Sequence, residues 1–207
     1  MASVAHITYT PEEYLALERK ADFKSEYVNG EICTMSGASK EHNIITGNIY
    51  SEIRNQFKRR PWEVYITDMR VRVPRSNLYT YPDVAAVCGG SLFDDSHVDT
   101  LTNPTVIVEV LSPSTETYDK GDKLAHYLKL PSLQEYVLVS QDKVRVEHYA
   151  RRGAEWIYTQ MSALDEVLVL ESIECAVALQ DIYEKVEFAN DTNHAENEET
   201  GGADRRR

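Results

Sequence analysis

The chain of 207 residues carries 34 acidic against 22 basic side chains, and its formal charge of -12 counts against a general nucleic-acid binder, since phosphate neutralisation demands a basic surface. It is long enough for one substantial core; no apolar stretch approaches the roughly 20 residues that span a bilayer and no charged-then-apolar leader opens it, so a cytoplasmic protein without membrane attachment is expected. Cys33, Cys88 and Cys175 lie too far apart for a zinc-ligand pair or a disulfide framework and fit a reduced interior. The organisation expected is a single domain over 1–189 and a tail over 190–207, because Asp191 to Arg207 has almost no large apolar residue and is rich in Glu, Asn, Gly and Thr, a composition that predicts disorder.

In chain order, Thr10-Pro11-Glu12-Glu13 starts a helix, with Thr10 as N-cap, Pro11 at the first helical position and Glu13 completing a capping box; the helix is expected to run to about Ala21. Lys24 to Thr34 alternates around Asn29-Gly30, a hairpin signal that puts Glu26 on one strand and Glu31 on the next. Ser39 can cap a long helix in which Ile45, Ile49, Ile53 and Phe57 form one buried stripe. Val64 to Val73 is predicted as a strand whose phase slips near Thr67-Asp68, as at a bulge. Asp83 to Cys88 and Thr105 to Leu111 are further strands, and a helix is predicted from about Tyr118 to Leu130. Glu135 to Val139, Val144 to Tyr149, Trp156 to Gln160 and Val167 to Leu170 alternate as strands, before a short helix near Ala178 to Lys185. This is an α/β pattern with a mixed central sheet, and three short basic clusters interrupt the acidic chain: Lys58-Arg59-Arg60, Arg70-Arg72-Arg75 and Arg151-Arg152. They are either phosphate-facing patches or solvated helix ends and strand faces.

One carboxylate stands in the middle of an interior strand. The run Thr105-Val106-Ile107-Val108-Glu109-Val110-Leu111 is otherwise apolar, and an unpaired buried carboxylate costs several kcal/mol unless it is protonated, paired with a cation or bound to a metal. A second carboxylate, Asp83, opens the run Val84 to Val87. Two strand-borne carboxylates suit a hard cation such as Mg2+ or Mn2+ better than zinc.

Ser25-Glu26-Tyr27-Val28-Asn29-Gly30-Glu31-Ile32, then His42, Pro82-Asp83, Val108-Glu109-Val110-Leu111-Ser112-Pro113-Ser114-Thr115, Asp119 with Lys123 and Tyr127, and Glu135-Tyr136 together resemble the Uma-two type of endonuclease, among the PD-(D/E)XK restriction-endonuclease-like proteins. The resemblance covers about residues 8 to 188. It implies a restriction-endonuclease-like core with an added antiparallel hairpin region, Mg2+- or Mn2+-dependent hydrolysis of phosphodiester bonds in nucleic acid, with DNA as the expected partner, and a homodimer. In the parent motif a lysine stands two residues after the acidic strand residue, where this chain has Leu111. The resemblance implies that the lysine has migrated to Lys123 on the following helix, with Lys120 on the same helical face as the reserve candidate; otherwise Lys123 only pairs with Asp119 as a solvated i,i+4 pair of about 0.3–0.5 kcal/mol.

The catalytic set expected is therefore Asp83, Glu109, Lys123 and Glu26, with Asp83 and Glu109 holding the metal. Lys123 would orient the attacking water or neutralise developing charge. Glu26 either completes the acidic cluster, or holds a second ion, or is an exposed hairpin glutamate. His42 either contacts phosphate, or transfers a proton, or is a helix-cap histidine with no task. Two other classes stay open: a catalytically silent nuclease-fold module that binds nucleic acid or protein, which the charge of -12 and Leu111 favour, and a metal-dependent hydrolase of a small substrate.

Overall fold

The computed structural model describes residues 7–188, so the tail expected over 190–207 lies outside the described residues. Helix α1 (Pro11–Glu18) opens with the reciprocal cap that its first residues encode. The Thr10 hydroxyl accepts from the Glu13 amide at 3.2 Å, and the Thr10 amide donates to the Glu13 carboxylate at 2.8 Å, satisfying amides that a helix start leaves over. The helix ends before the expected Ala21. β1 (Ser25–Val28) and β2 (Glu31–Thr34) pair antiparallel across Asn29 and Gly30, with φ of 50° and 102°, the left-handed backbone that a two-residue hairpin turn demands. α2 (Lys40–Phe57) is capped by the Ser39 hydroxyl, which accepts from the His42 amide at 3.1 Å, and buries its stripe Ile45, Ile49, Ile53 and Phe57.

The segment 64–73 corrects the sequence expectation. It holds two strands, β3 (Glu63–Ile66) and β4 (Arg70–Val73), in different sheets. The corner is Thr67, at φ 48°, with its amide donating to the Asp83 carbonyl at 3.0 Å. A bulge keeps both halves of a strand on the same neighbour, whereas here the slip in phase marks a change of sheet. β5 (Leu78–Thr80) was not anticipated, β6 (Val84–Val87) was, β7 (Thr100–Leu101) was not, and β8 (Val106–Leu111) is the predicted interior strand. The helix expected from Tyr118 begins earlier and is interrupted: α3 (Glu116–Tyr118), a π turn (Asp119–Lys123) and α4 (Leu124–Tyr127) follow one another. β9 (Glu135–Ser140), β10 (Val146–Arg152), β11 (Glu155–Met161) and β12 (Val167–Leu170) follow; β13 (Cys175–Ala178) pairs back onto β12 where no strand was expected, and shortens the last helix to α5 (Leu179–Ile182).

Among the described residues the central sheet has six strands in the order β11-β10-β9-β8-β6-β3, mixed because β8 and β9 run parallel; a five-stranded sheet has the order β2-β1-β5-β4-β7, and β12-β13 form the added antiparallel hairpin. β8 is buried on both faces. Val106, Val108 and Val110 meet α2 and the hairpin in one core, while Ile107 and Leu111 meet Tyr127, Leu130 and Tyr136 in the other. Alternation along the strand therefore turns Glu109 toward the face covered by α3, the π turn and α4.

A second buried carboxylate ties layers together. Glu135 on β9 lies 2.6 Å from His148 Nε2 on β10 and accepts from the Ser172 amide, beyond β12, at 2.7 Å. Burial raises its proton affinity, but hydrogen bonds from His148 and Ser172 win and hold its carboxyl below the ordinary value of 4.5. A depressed folded-state value stabilises the fold above the unfolded value and loses that stabilisation as pH falls through the folded one. Glu135→Ala should lower unfolding free energy by about 2–3 kcal/mol at neutral pH, and chemical denaturation repeated below pH 4.5 should find the gap between variant and wild type narrowing.

Candidate active site

Three elements from two sheets and a helix converge on one ammonium group. Lys123 Nζ, at the end of the π turn, lies 2.9 Å from Glu109 Oε1 of β8, 3.2 Å from Glu26 Oε1 of β1 and 3.4 Å from Asp119 Oδ1 one turn back. All four residues are buried, Glu26 the most accessible at 8%. A single extra residue in a helical turn is a device found at functional sites, and here it puts Asp119 and Lys123 under the sheet while Gly121 and Asp122 stay exposed.

Hydroxyl groups complete the shell. Tyr127, four residues after Lys123, donates to Glu109 Oε1 at 2.9 Å, and Thr80 on β5 donates to Glu26 Oε1. Tyr136 donates to the Asp119 carbonyl at 3.2 Å. Asp83 stands at the mouth. The antiparallel register pairs Val84 with Val108, so Asp83 lies across from Glu109, and its Oδ2 accepts from the Val110 amide at 2.7 Å. His42 Nε2 is 3.2 Å from the same oxygen, which gives His42 a partner outside the cap of α2.

The charges do not balance. Glu26, Glu109 and Asp119 surround Lys123, and a fourth carboxylate, Asp83, lies across from Glu109 with His42 beside it. Burial pushes the Glu109 carboxyl well above the ordinary carboxylate range, with Lys123 pulling it down and Asp119 and Asp83 pushing it further up. Asp119 is likewise raised by burial, against the pull of Lys123. For Lys123 burial opposes the charge, but Glu109, Tyr127, Glu26 and Asp119 outweigh it and hold the ammonium protonated.

Of the residues singled out in the sequence, Asp83, Glu109, Lys123, Glu26 and His42 thus come together. Lys120 does not: it turns outward to Glu116 at 2.7 Å and Glu147 at 2.8 Å. The Asp119–Lys123 pair exists but is buried, unlike a solvated helix pair. Asp119 and Tyr127 could have been added from their i±4 spacing to Lys123; Thr80 gave no signal, since its strand gave none. The basic clusters are split between interior and surface: Arg70 binds Asp99 at 3.0 Å and Tyr81, Arg72 binds Asp94, and Arg151 donates to the carbonyls of Leu133, Leu128 and Leu130, whereas Lys58, Arg59, Arg75 and Arg152 are exposed.

Among the described residues no group of three or more His, Cys, Asp and Glu side chains forms a ready ligand set for a metal ion. The donors nevertheless fit magnesium or manganese. Such ions take carboxylate oxygens, and magnesium is commonly bound by one or two carboxylates, with waters and substrate phosphate filling the shell; Asp83 and Glu109 supply two carboxylates beside an excess of negative charge. No helix among the described residues is long and apolar enough to cross a membrane.

A family model described as Uma2, "Putative restriction endonuclease", matches residues 11–180. Two uncharacterized proteins of Synechocystis sp. are similar: sll1609 is 39% identical over 153 residues, covering 73% of this chain and 86% of that protein, and slr1290 is 35% identical over 180 residues, covering 86% and 93%. A crystal structure of a putative nuclease belonging to DUF820 from Anabaena variabilis superimposes with a TM-score of 0.73 at 20% identity, over 86% of this chain and 99% of that one, which shows a shared fold.

The raised carboxyl of Glu109 has a consequence for stability. A group whose folded-state value lies above its unfolded value of 4.5 contributes stability below that value and loses it as pH rises toward the folded one. Glu109→Gln has no such loss, so its melting temperature relative to wild type should climb as pH rises above 4.5. A difference that stays flat as pH rises in a thermal-shift series would show that the fold does not raise the proton affinity of Glu109.

Proposed function

The chain belongs to the Uma2 family and has a restriction-endonuclease-like fold, and from that premise we propose that it is a Mg2+- or Mn2+-dependent endonuclease that hydrolyses phosphodiester bonds in nucleic acid, with DNA as substrate. The observation that carries the reading is the buried Lys123–Glu109 pair at 2.9 Å, an acid–lysine couple restored from a helix although the strand has Leu111 in the expected place.

Asp83 and Glu109 would hold the cation, whose chemistry is to make a bound water more acidic and to stabilise charge on the phosphate. The side chains supply the rest. Lys123, kept protonated by its three carboxylates, places a compact positive charge where negative charge builds during attack, or orients the attacking water. Glu26 holds Lys123 from the opposite sheet and Tyr127 fixes the rotamer of Glu109, so neither reacting group has to be reorganised during the step. His42 contacts phosphate or passes a proton at the mouth, steadied by Asp83. Lys120 has no part.

The charge of -12 and the internal use of Arg70, Arg72 and Arg151 favour a second reading, a module of the same fold that binds nucleic acid or protein without cutting it. A plasmid-nicking assay with and without manganese separates the two. Asp83→Ala and Glu109→Ala should abolish cleavage, Lys123→Ala should reduce it about 100- to 1000-fold, and Lys120→Ala should leave it close to wild type. Full activity in Lys123→Ala would remove the lysine from the mechanism, and metal binding with no cleavage in wild type would favour the silent module.

Stability offers an assay that needs no substrate. A cation bound only by the folded state adds about 2.7 kcal/mol at 100 times its dissociation constant, so manganese should raise the melting temperature of wild type while Glu109→Gln loses most of the gain, with sodium at equal ionic strength as the screening control.

A further inference from the structure

Five polar atoms of the site close into a ring. From Lys123 Nζ it runs 2.9 Å to Glu109 Oε1, 2.9 Å on to the Tyr127 hydroxyl, 3.4 Å to the Thr80 hydroxyl, then to Glu26 Oε1 and 3.2 Å back to Lys123 Nζ. Among the described residues, the hydrogen bonds and ion pairs of the Glu26 and Glu109 carboxylates all end on Oε1. The ring grips one oxygen of each and leaves Oε2 without a protein donor. Thr80 is the member that sits deepest, fully buried on β5, where the antiparallel register that sets Tyr27 opposite Tyr79 continues to put it across from Glu26. Branching at Cβ restricts its first side-chain torsion, so the backbone aims the hydroxyl. Its one proton goes to Glu26, and its oxygen takes the longer branch from Tyr127, whose proton is held chiefly by Glu109.

We propose that Thr80 is a positioning residue: its hydroxyl closes the ring that fixes Glu26, and through Glu26 it holds the Lys123 ammonium against Glu109 in the geometry the reaction uses. Buried beneath the carboxylates, it reaches neither substrate nor cation. Without this hydroxyl Lys123 is the sole donor to Glu26, and the carboxylate is free to turn about its own torsions and draw the ammonium away from Glu109. A closed set of charge-assisted hydrogen bonds resists that motion more than its separate members do, because each bond polarises the next in a low-dielectric interior. The ring itself needs no substrate, whereas its use in cleavage rests on the nuclease reading, so each is tested by its own measurement.

Thr80→Val keeps the shape and removes the hydroxyl, and Thr80→Ser keeps a hydroxyl in place. Nitrogen-15 NMR of the full chain, without substrate, follows hydrogen exchange of the Lys123 ammonium, identified by its absence in Lys123→Arg; exchange should be about tenfold faster in Thr80→Val than in wild type and close to wild type in Thr80→Ser. In the plasmid-nicking assay with manganese, Thr80→Val should lower kcat about 10- to 100-fold with KM for plasmid unchanged, the mark of a misplaced group and not of lost binding. Thr80→Ser should recover most of that loss. Thr46→Val, which removes a buried hydroxyl that has no partner on α2, should change neither readout. Circular dichroism checks folding, and Thr80→Ala takes the place of Thr80→Val if the latter does not fold. Wild-type exchange in the folded variant, or a Thr80→Ser that exchanges as fast as Thr80→Val, would overturn the ring, and faster exchange with kcat unchanged would overturn the positioning role. Faster exchange in Thr80→Val beside a wild type that cuts no plasmid would support the ring and sink the nuclease reading instead.

Discussion

The contact on which the rest of the site depends is the Lys123 ammonium among Glu109, Glu26 and Asp119. Each carboxylate comes from a different element, so one buried charge fixes the five-stranded sheet, the central sheet and the covering helix relative to one another. Removing charges from water is unfavourable, and attraction in a low-dielectric interior offsets it only when the geometry is good and the remaining hydrogen-bonding positions are filled. Tyr127 and Thr80 fill them here. A pair of this kind is weak evidence for stability but strong evidence that position matters, since apolar side chains of similar volume could close the same space.

An excess of carboxylate over cation follows from the same arrangement. Lys123 is kept charged by it and Glu109 is pushed toward the neutral form, so the site stores a demand for positive charge on the side of Asp83, the one carboxylate of the set that stands partly open. Site chemistry and fold are thus bound together. The helix that closes the core over Ile107 and Leu111 is also the element that delivers Lys123, and the π turn inside it allows both Asp119 and Lys123 to face inward.

The arginines show how an acidic chain uses its positive charge. Arg70 is nearly fully buried and joins β4 to Asp99, Thr100 and Tyr81, and Arg151 caps the carbonyls left at the end of α4 while stacking on Trp156. Planar guanidinium groups with five donors suit such junctions. Arg70, Arg72 and Arg151, which sit in basic clusters of the linear sequence, are therefore fasteners within the fold, while Lys58, Arg59, Arg75 and Arg152 stay exposed.

Much of this protein is local and could be read from the chain. The capping box at Thr10, the Asn29-Gly30 turn and the stripe Ile45, Ile49, Ile53 and Phe57 depend on neighbours within a few residues, and Glu109 is conspicuous because one carboxylate interrupts an apolar run. The change of sheet at Thr67 was not legible, because a slip in alternation has the same appearance whether a strand bulges or leaves for another sheet. β5, β7 and β13 were missed because segments of two to four residues show too little alternation to stand out. The choice of Lys123 over Lys120 also belonged to the tertiary structure: both lie on one helical face, and only the packing of that helix on β8 and β1 decides which ammonium meets Glu109 and Glu26 and which turns to Glu116 and Glu147. Sequence alone thus determined which residue types could make a site, because chemistry resides in side chains. Tertiary structure decided which of them meet, because burial and distance are set by contacts between segments far apart in the chain.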